Sequence, residues 1–460
     1  MISAQRIPEA VAAACRTLQQ NGFAAYVVGG AIRDLLLFPH DDRAKDFDLT
    51  TSARPEEVSA VFGKHRVIPT GIAHGTVTVL IPSHLGKPHP IEITTFRGEV
   101  GFSDGRRPDR VEFITDLTED LRRRDFTINA IAFDPIARRL FDPFDGQADL
   151  ARGLIRAVGD PVARFSEDGL RVMRAVRFAA QLGFSVEPDT RAAFLTALPT
   201  LRRVSRERVR EELLKLLRAS SPERGLRLLC SRELPNGTLD FLPEHNILHV
   251  VFPELAPFVK TAAALSQVCA VVGDLPLDLR LLGFLWPLRT WLAEEGAVVA
   301  ATPRALGELL DERLKLPSDK RQFLVALLTT KEVSTELLPH LHGPALRRFL
   351  AEHPQPVLDA LLALQLAQAR AQKDHAAEGL LRLFVETIEA ERAQNPPLFL
   401  SDLALSGKDL LVELSLSPGP VFGELLHELL SQVHDEPEKN TREQLLEHAR
   451  IWLLARKNRR

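Results

Sequence analysis

From about residue 160 onward this 460-residue chain repeats Leu, Ala, Arg and Glu at helical spacing with almost no strand alternation, which confines most of its length to packed helices. Before about residue 150 the texture differs. Ala25-Tyr26-Val27-Val28, Gly75 to Ile81 and Ile91 to Phe96 are runs rich in β-branched residues, set between glycines and polar turns, and they read as strands of one small sheet. Helical spacing predicts helices over 6–21, 31–37, 55–63 and 124–132. The fold class that follows is α+β, a small sheet-bearing head and a long all-α remainder. Pro- and Gly-containing stretches at 235–238, 395–397 and 415–420 predict breaks, and no fixed-period repeat supports a solenoid.

Composition narrows the class. With 45% hydrophobic and 26% charged residues the chain is expected to be globular, and every apolar run is broken before the ~18 residues a membrane span needs. The N-terminal stretch lacks a basic segment followed by an apolar one, so no export signal is expected. Cys15, Cys230 and Cys269 are too scattered for a disulfide framework or a zinc site, which points to a reducing cytoplasm. Net charge is only −3, but residues 122–218 carry 19 basic against 13 acidic side chains. That stretch can follow a phosphate backbone or form a solvated Arg-rich surface.

Within the head, Val27-Val28-Gly29-Gly30-Ala31-Ile32-Arg33 is a strand, a glycine pair and a helix start. The glycines admit a phosphate close to the backbone, the helix start offers unpaired N–H groups, and Arg33 adds a fork for phosphate oxygens. In Asp46-Phe47-Asp48, residues two apart on a strand share a face, so the carboxylates repel unless a cation sits between them. Such hard oxygen ligands suit Mg²⁺ held jointly with substrate phosphates. Glu92 lies inside a β-branched strand and is read either as a third carboxylate at that metal or as an edge-strand residue in water.

Two strings downstream complete the pattern. Arg122-Arg123-Arg124-Asp125-Phe126-Thr127-Ile128-Asn129-Ala130 places three arginines at an expected helix start, suited to a triphosphate. Asp125 and Asn129, four apart, then share a face and can bond a ribose hydroxyl together. In Glu167-Asp168-Gly169-Leu170-Arg171, Asp168 and Arg171 are three apart on an expected helix. An acceptor-only carboxylate beside a donor-only guanidinium matches a base edge with an amino group next to a ring acceptor, as cytosine and adenine have; guanine or uracil would oppose a carbonyl to the carboxylate. Arg174 and Arg177 turn progressively away around the helix and are assigned to phosphate or to structural pairing.

Together these residues resemble the polymerase-β-type nucleotidyltransferase superfamily, and more narrowly the class II tRNA CCA-adding enzymes and bacterial poly(A) polymerases. The resemblance covers residues 20–215 and 403–452 and is weak between them. It implies a catalytic head over 1–150, a base-reading neck over 151–220, a helical body over 221–400 and a tRNA-binding tail over 401–460. It also implies template-independent addition of CCA, or of the terminal A, to tRNA from CTP and ATP. In this assignment Asp46 and Asp48 hold Mg²⁺ and Glu92 assists; Gly29, Gly30, Arg33 and Arg124 hold phosphates; Asp125 and Asn129 hold ribose; Asp168 and Arg171 read the base. A poly(A) polymerase and a non-catalytic RNA-binding relative are the alternatives.

Thr70 to Val79 resembles the CCA-adding version of its strand, and the string Phe96 to Pro108 resembles the flexible loop that the family associates with adding the final A. Departures are few. The segment 38–44 is longer than usual, and Gly169 stands where relatives usually have Pro or Ala, which is expected to loosen that turn. Arg202 to Leu213 resembles the neck helix and reads as chiefly structural. Trp286-Pro287 occupies the place of the His-Asp dyad found in phosphohydrolase-bearing relatives, and His434-Asp435 is expected in a polar loop, so no phosphohydrolase activity is predicted.

Overall fold

The computed structural model describes residues 6–40, 46–82, 88–100, 110–234, 236, 238–242, 245–289, 302–417 and 419–457. Residues 41–44 of the lengthened segment, 101–108 of the expected flexible loop, and parts of the breaks at 235–238 and 415–420 lie outside them. The chain separates into two compact units, Met1–Leu265 with Asp311–Lys315, and Ser266–Leu310 with Leu316–Arg460.

The first unit opens with α1 (Glu9–Gln20), whose Val11, Ala14, Cys15 and Leu18 form the buried stripe that period 3.6 demands. Its sheet contains β1 (Ala25–Val28), β2 (Asp48–Thr51), β3 (Val67–Gly71), β4 (Thr76–Ile81), β5 (His89–Thr95), β8 (Ala132–Asp134) and β9 (Arg139–Phe141), in the order β3-β4-β5-β2-β1-β8-β9. Only β2 and β5 pair in parallel; the other neighbours are antiparallel. β6 (Arg97–Val100) and β7 (Arg110–Phe113) form a separate antiparallel pair. The strand expectations therefore hold, and the first part of the expected flexible loop, 97–100, is a paired strand.

Helices α2 (Gly30–Leu37) and α3 (Pro55–Phe62) fall where the spacing places them. The helix expected over 124–132 does not form. Instead α4 (Leu117–Arg122) precedes it, capped by Asp116, whose carboxylate accepts the Thr118 N–H at 2.7 Å. Residues 125–127 turn their backbone bonds outward to 156–158: Thr127 N–H donates to the Arg156 carbonyl and Val158 N–H to the Asp125 carbonyl. Only a 3₁₀ turn, Thr127–Asn129, remains helical. The expectation of a helix is overturned because the backbone of this buried segment, with Phe126, Ile128 and Ala130 all in the core, finds partners some 30 residues away.

Beyond the sheet come α5 (Gly146–Arg152), α6 (Pro161–Glu167), α7 (Leu170–Leu182), α8 (Pro188–Leu201), α9 (Arg206–Leu217) and α10 (Pro222–Cys230). A two-residue parallel bridge, Leu154–Ile155 with Ser185–Val186, interrupts the helices. In the second unit, helices Gly407–Glu413, Pro420–Asp435 and Arg442–Lys457 enclose a core that includes Leu410, Leu425, Leu429, Val433 and Leu445. His434-Asp435 is not in a loop: it ends the helix Pro420–Asp435, where His434 is buried with Nε2 3.1 Å from the Leu398 carbonyl oxygen. Burial drives the apolar end of that helix inward, and the imidazole finds a backbone partner there. Among the described residues, no helix is long and apolar enough to cross a membrane.

Candidate active site

The register of the sheet builds the site. β1 pairs Val28 with Asp48 of β2, so the Gly29-Gly30 turn that follows Val28 lies beside the start of β2. Gly29 has φ +79°, a conformation that disfavours any side chain, and it caps α2. A Cβ on Gly29 would stand 3.5 Å from Arg124 Nη1, and one on Gly30 would stand 3.5 Å from Arg33 Nη2. Two guanidiniums thus lie close against a helix start, which is a strong arrangement for anions.

Asp46 and Asp48 are exposed and Phe47 between them is buried, so both carboxylates point away from the core. Leu49 pairs with Ile93, and both are buried; Asp48 and Glu92, one position earlier on each strand, therefore sit side by side on the opposite face. β5 runs between β2 and β4, which removes the edge-strand reading of Glu92: it is exposed because this face of an interior strand is open. Crowding by surrounding protein, then the charges of Glu92 and Asp46, raise the Asp48 carboxyl to about 6 against the pull of Arg124. Among the described residues no group of three or more His, Cys, Asp or Glu is gathered closely enough to hold a metal ion unaided.

The arginines end α4 rather than start a helix. Arg123 and Arg124 fold back on Asp120, which is fully buried: Arg123 Nη2 lies 2.9 Å from Oδ1 and Arg124 Nη2 lies 3.5 Å from Oδ2. The same carboxylate accepts from Thr50 Oγ1 at 3.0 Å, tying the arginines to β2 two residues beyond Asp48. Arg124 Nε is buried without a hydrogen-bond partner, an orphan donor that an anionic ligand would satisfy.

Asp125 is a second buried hub of the site. Its Oδ1 accepts from Phe126 N–H at 2.8 Å and Asn129 Nδ2 at 3.1 Å, and its Oδ2 takes Arg174 through Nε at 2.7 Å and Nη2 at 2.6 Å. These bonds outweigh burial and hold its carboxyl down at about 2. Asn129 in turn accepts from Arg33 Nη1 at 2.9 Å. Asp125 and Asn129 do meet, across a 3₁₀ turn rather than along one α-helical face.

Asp168 is likewise not helical. It lies between α6 and α7, accepts the Leu170 N–H at 3.0 Å and is clasped by Arg208 of α9 at 2.7 and 3.3 Å. Arg171, in the first turn of α7, donates to Glu167, the Arg164 carbonyl and the Arg123 carbonyl. Gly169 does not loosen this turn. A Cβ there would fall 2.4 Å from the Leu201 backbone nitrogen, so glycine is what lets the turn lie against the end of α8. Arg177 pairs with Glu212 at 2.5 Å and with Gln181 at 2.6 Å, the structural member of the two outcomes expected for it.

Gly29, Gly30, Arg33, Asp48, Arg124, Asp125, Asn129, Asp168, Arg171, Arg174 and Arg177 all line one cleft of about 430 Å³; Asp46 and Glu92 stand outside that lining. Seven arginines against three aspartates line it, so it favours a polyanion. The sequence reading does not single out Leu170, Phe178 and Arg208 as cleft residues. Arg208 falls within the Arg202 to Leu213 stretch that reads as chiefly structural, and nothing local reveals a partner 40 residues away.

Residues 25–156 match the family model for a Poly A polymerase head domain, 183–259 the model "Probable RNA and SrmB- binding site of polymerase A", and 359–449 a model for tRNA nucleotidyltransferase domain 2. The CCA-adding enzyme of Lactobacillus helveticus is 44% identical over 267 residues, 57% of this chain, and the match spans 64% of that enzyme's length. The CCA-adding enzyme of Enterococcus faecalis is 35% identical over 438 residues, 95% of this chain and 94% of its own. Among solved structures, the Bacillus stearothermophilus CCA-adding enzyme in complex with CTP superposes with a TM-score of 0.68 at 27% identity, covering 98% of this chain and 99% of its own. The chain belongs to the CCA-adding enzyme and poly(A) polymerase family, with the fold of polymerase-β-type nucleotidyltransferases.

Proposed function

We propose that the protein is a template-independent tRNA nucleotidyltransferase that adds CCA, or its terminal A, to tRNA 3′ ends from CTP and ATP. The observation that carries this reading is the convergence of an anion cradle, an acid-bearing strand and a donor–acceptor pair for a base edge on a single cleft. The resemblance to CCA-adding relatives over nearly the whole chain supports the same choice. A reducing cytoplasm as the site of action is part of the proposal, in keeping with Cys15, Cys230 and Cys269, which are buried and not joined in disulfides.

The residues divide the work as follows. Gly29, Gly30 and Arg33 receive phosphate oxygens at the start of α2, and Arg124 offers its unpartnered Nε. Asp125 already accepts four N–H bonds, so a ribose hydroxyl must replace one of them or bond Asn129. Asp168 keeps an acceptor position on Oδ2, and Arg171 keeps N–H donors beyond those bonded to Glu167, Arg164 and Arg123, enough to face an amino group beside a ring acceptor. Asp46 and Asp48 would hold Mg²⁺ together with substrate phosphates. The repulsion of Asp48 by Glu92 and then Asp46 is what a cation relieves, and two carboxylates completed by phosphate oxygens form an ordinary Mg²⁺ donor set. When bound, the ion would make the tRNA 3′-hydroxyl easier to ionise and offset the charge of departing pyrophosphate.

One assay tests the reading against its rivals: tRNA ending before CCA is supplied with Mg²⁺ and CTP, ATP or both, and the products are sequenced. Addition of CCA, or of A onto a CC end, supports the proposal. Long A-tails would point to a poly(A) polymerase, and no incorporation to a non-catalytic RNA-binding protein. Base reading has its own check. Arg171→Ala is expected to weaken discrimination against GTP and UTP by roughly tenfold or more, since a mismatched polar pair costs ~1–3 kcal/mol, while tRNA affinity stays nearly intact. Competition kinetics and a tRNA-binding titration measure both; loss of tRNA binding with selectivity unchanged would contradict the assignment.

A further inference from the structure

We propose that Phe178 is a positioning residue whose ring gathers the guanidiniums of Arg33, Arg174 and Arg177 into one wall of the cleft while leaving their N–H edges available. The inference rests on the nucleotide-binding role proposed above. Phe178 lies on α7, is 3% exposed and lines the cleft. The guanidinium carbons stand 5.1 Å (Arg33), 5.5 Å (Arg174) and 3.9 Å (Arg177) from its centroid. Against its other neighbours it is an ordinary core ring, edge-on to Phe126 at 5.8 Å.

Three like charges drawn from two helices repel, and something must hold them together before a triphosphate arrives. Carboxylates do part of this: Asp34 pairs with Arg33, Asp125 with Arg174, and Glu212 with Arg177. A carboxylate, however, cancels the positive charge and occupies N–H donors. An aromatic face attracts a cation through its quadrupole and does neither. Arg174 lies one helical turn, four residues, before Phe178 on α7, Arg177 immediately precedes it and folds its guanidinium onto the ring, and Arg33 reaches it from α2. An aliphatic side chain of similar volume would fill the same space without the attraction.

The test changes the ring's electrons at nearly constant volume. Phe178 is replaced in the full chain by 4-fluoro-, 3,5-difluoro- and 3,4,5-trifluorophenylalanine, and CTP affinity is measured by calorimetry alongside incorporation rate at saturating nucleotide and melting temperature. Affinity is expected to fall stepwise with fluorine number, by about tenfold across the series, with the saturated rate and melting temperature almost constant. A flat series, or affinity that follows melting temperature instead of fluorine number, overturns the proposal. Phe178→Tyr and Phe178→Leu give a second reading: the ring-retaining variant should keep CTP affinity and the aliphatic one lose it, and equal affinities would refute the inference. If the unmodified chain fails to bind CTP, the nucleotide-binding role falls and this inference with it; binding that ignores the ring's electrons removes the inference alone.

Discussion

Asp48→Asn is expected to reduce nucleotide incorporation by on the order of 10³-fold while CTP still binds and the fold stays intact. The carboxylate belongs to the acid pair, whereas the phosphate, ribose and base groups are on other elements. Removing it should therefore spare ground-state binding. The stability effect has the opposite sign to most substitutions at buried strands. Asp48 is pushed up to about 6 in the folded chain, above an ordinary carboxyl, because surrounding protein displaces water from its ionised form and Glu92 and Asp46 lie beside it. A raised folded pKa favours the fold at low pH and loses that advantage as pH rises through about 6, so at neutral pH the charged form is a burden on the fold. Asn removes the charge, and the melting temperature should stay level or rise slightly, a trade of stability against activity. The wild-type rate should fall about tenfold per pH unit below about 6, since the protonated acid cannot ligate. Raising Mg²⁺ should move that limb to lower pH, because ion and proton compete for one group. A pH–rate series at two Mg²⁺ concentrations decides it; a limb indifferent to Mg²⁺, or an Asn variant with full turnover, would remove Asp48 from the reaction.

What could be read from the linear chain is what local pattern controls. The strands at 25–28, 76–81 and 89–95 were visible because β-branched alternation and flanking glycines act over a few residues. The glycine turn before Arg33 was visible for the same reason. The acid pair was recognisable by its spacing, but the partnership of Asp48 with Glu92 depends on a parallel register between strands some 40 residues apart. The string 122–130 shows where local reasoning stops: its composition suits a helix, yet its backbone finds partners at 156–158, and Asp120 draws Arg123 and Arg124 back toward β2. Asp168 was placed on a helix by counting, whereas the chain breaks there and the carboxylate serves Leu170 and Arg208 instead. Phe178 looked like one more apolar position on α7; that Arg33 joins Arg174 and Arg177 at its ring follows only from the packing of α2 against the rest of the cleft.

Asp125→Ala should be the most destabilising of the single changes considered, because it strips a buried hub and strands Arg174 without its carboxylate. Breaking a buried pair from one side costs ~3–5 kcal/mol, which for a unit of this size lowers the melting temperature by on the order of 10 °C. Asp125→Ala combined with Arg174→Met should recover much of that loss, since no charge is then left unpaired, and the difference between the double and the summed single effects measures the coupling. Nucleotide binding should not recover, because the polar framework around Asn129 and Arg33 is still missing a member. The pH dependence runs opposite to that of Asp48. A carboxyl held at about 2 stabilises the fold above its unfolded pKa of roughly 4 and loses that contribution as pH falls from there through about 2. Acid unfolding of the wild type should therefore steepen in that window, and the Asp125→Ala protein, already lacking the contribution, should lose less additional stability across it. An Ala variant that melts with the wild type, or an acid transition unchanged by the substitution, would show that the four bonds to Asp125 are incidental to the fold, and the cleft would then need another explanation for how Arg174 is held.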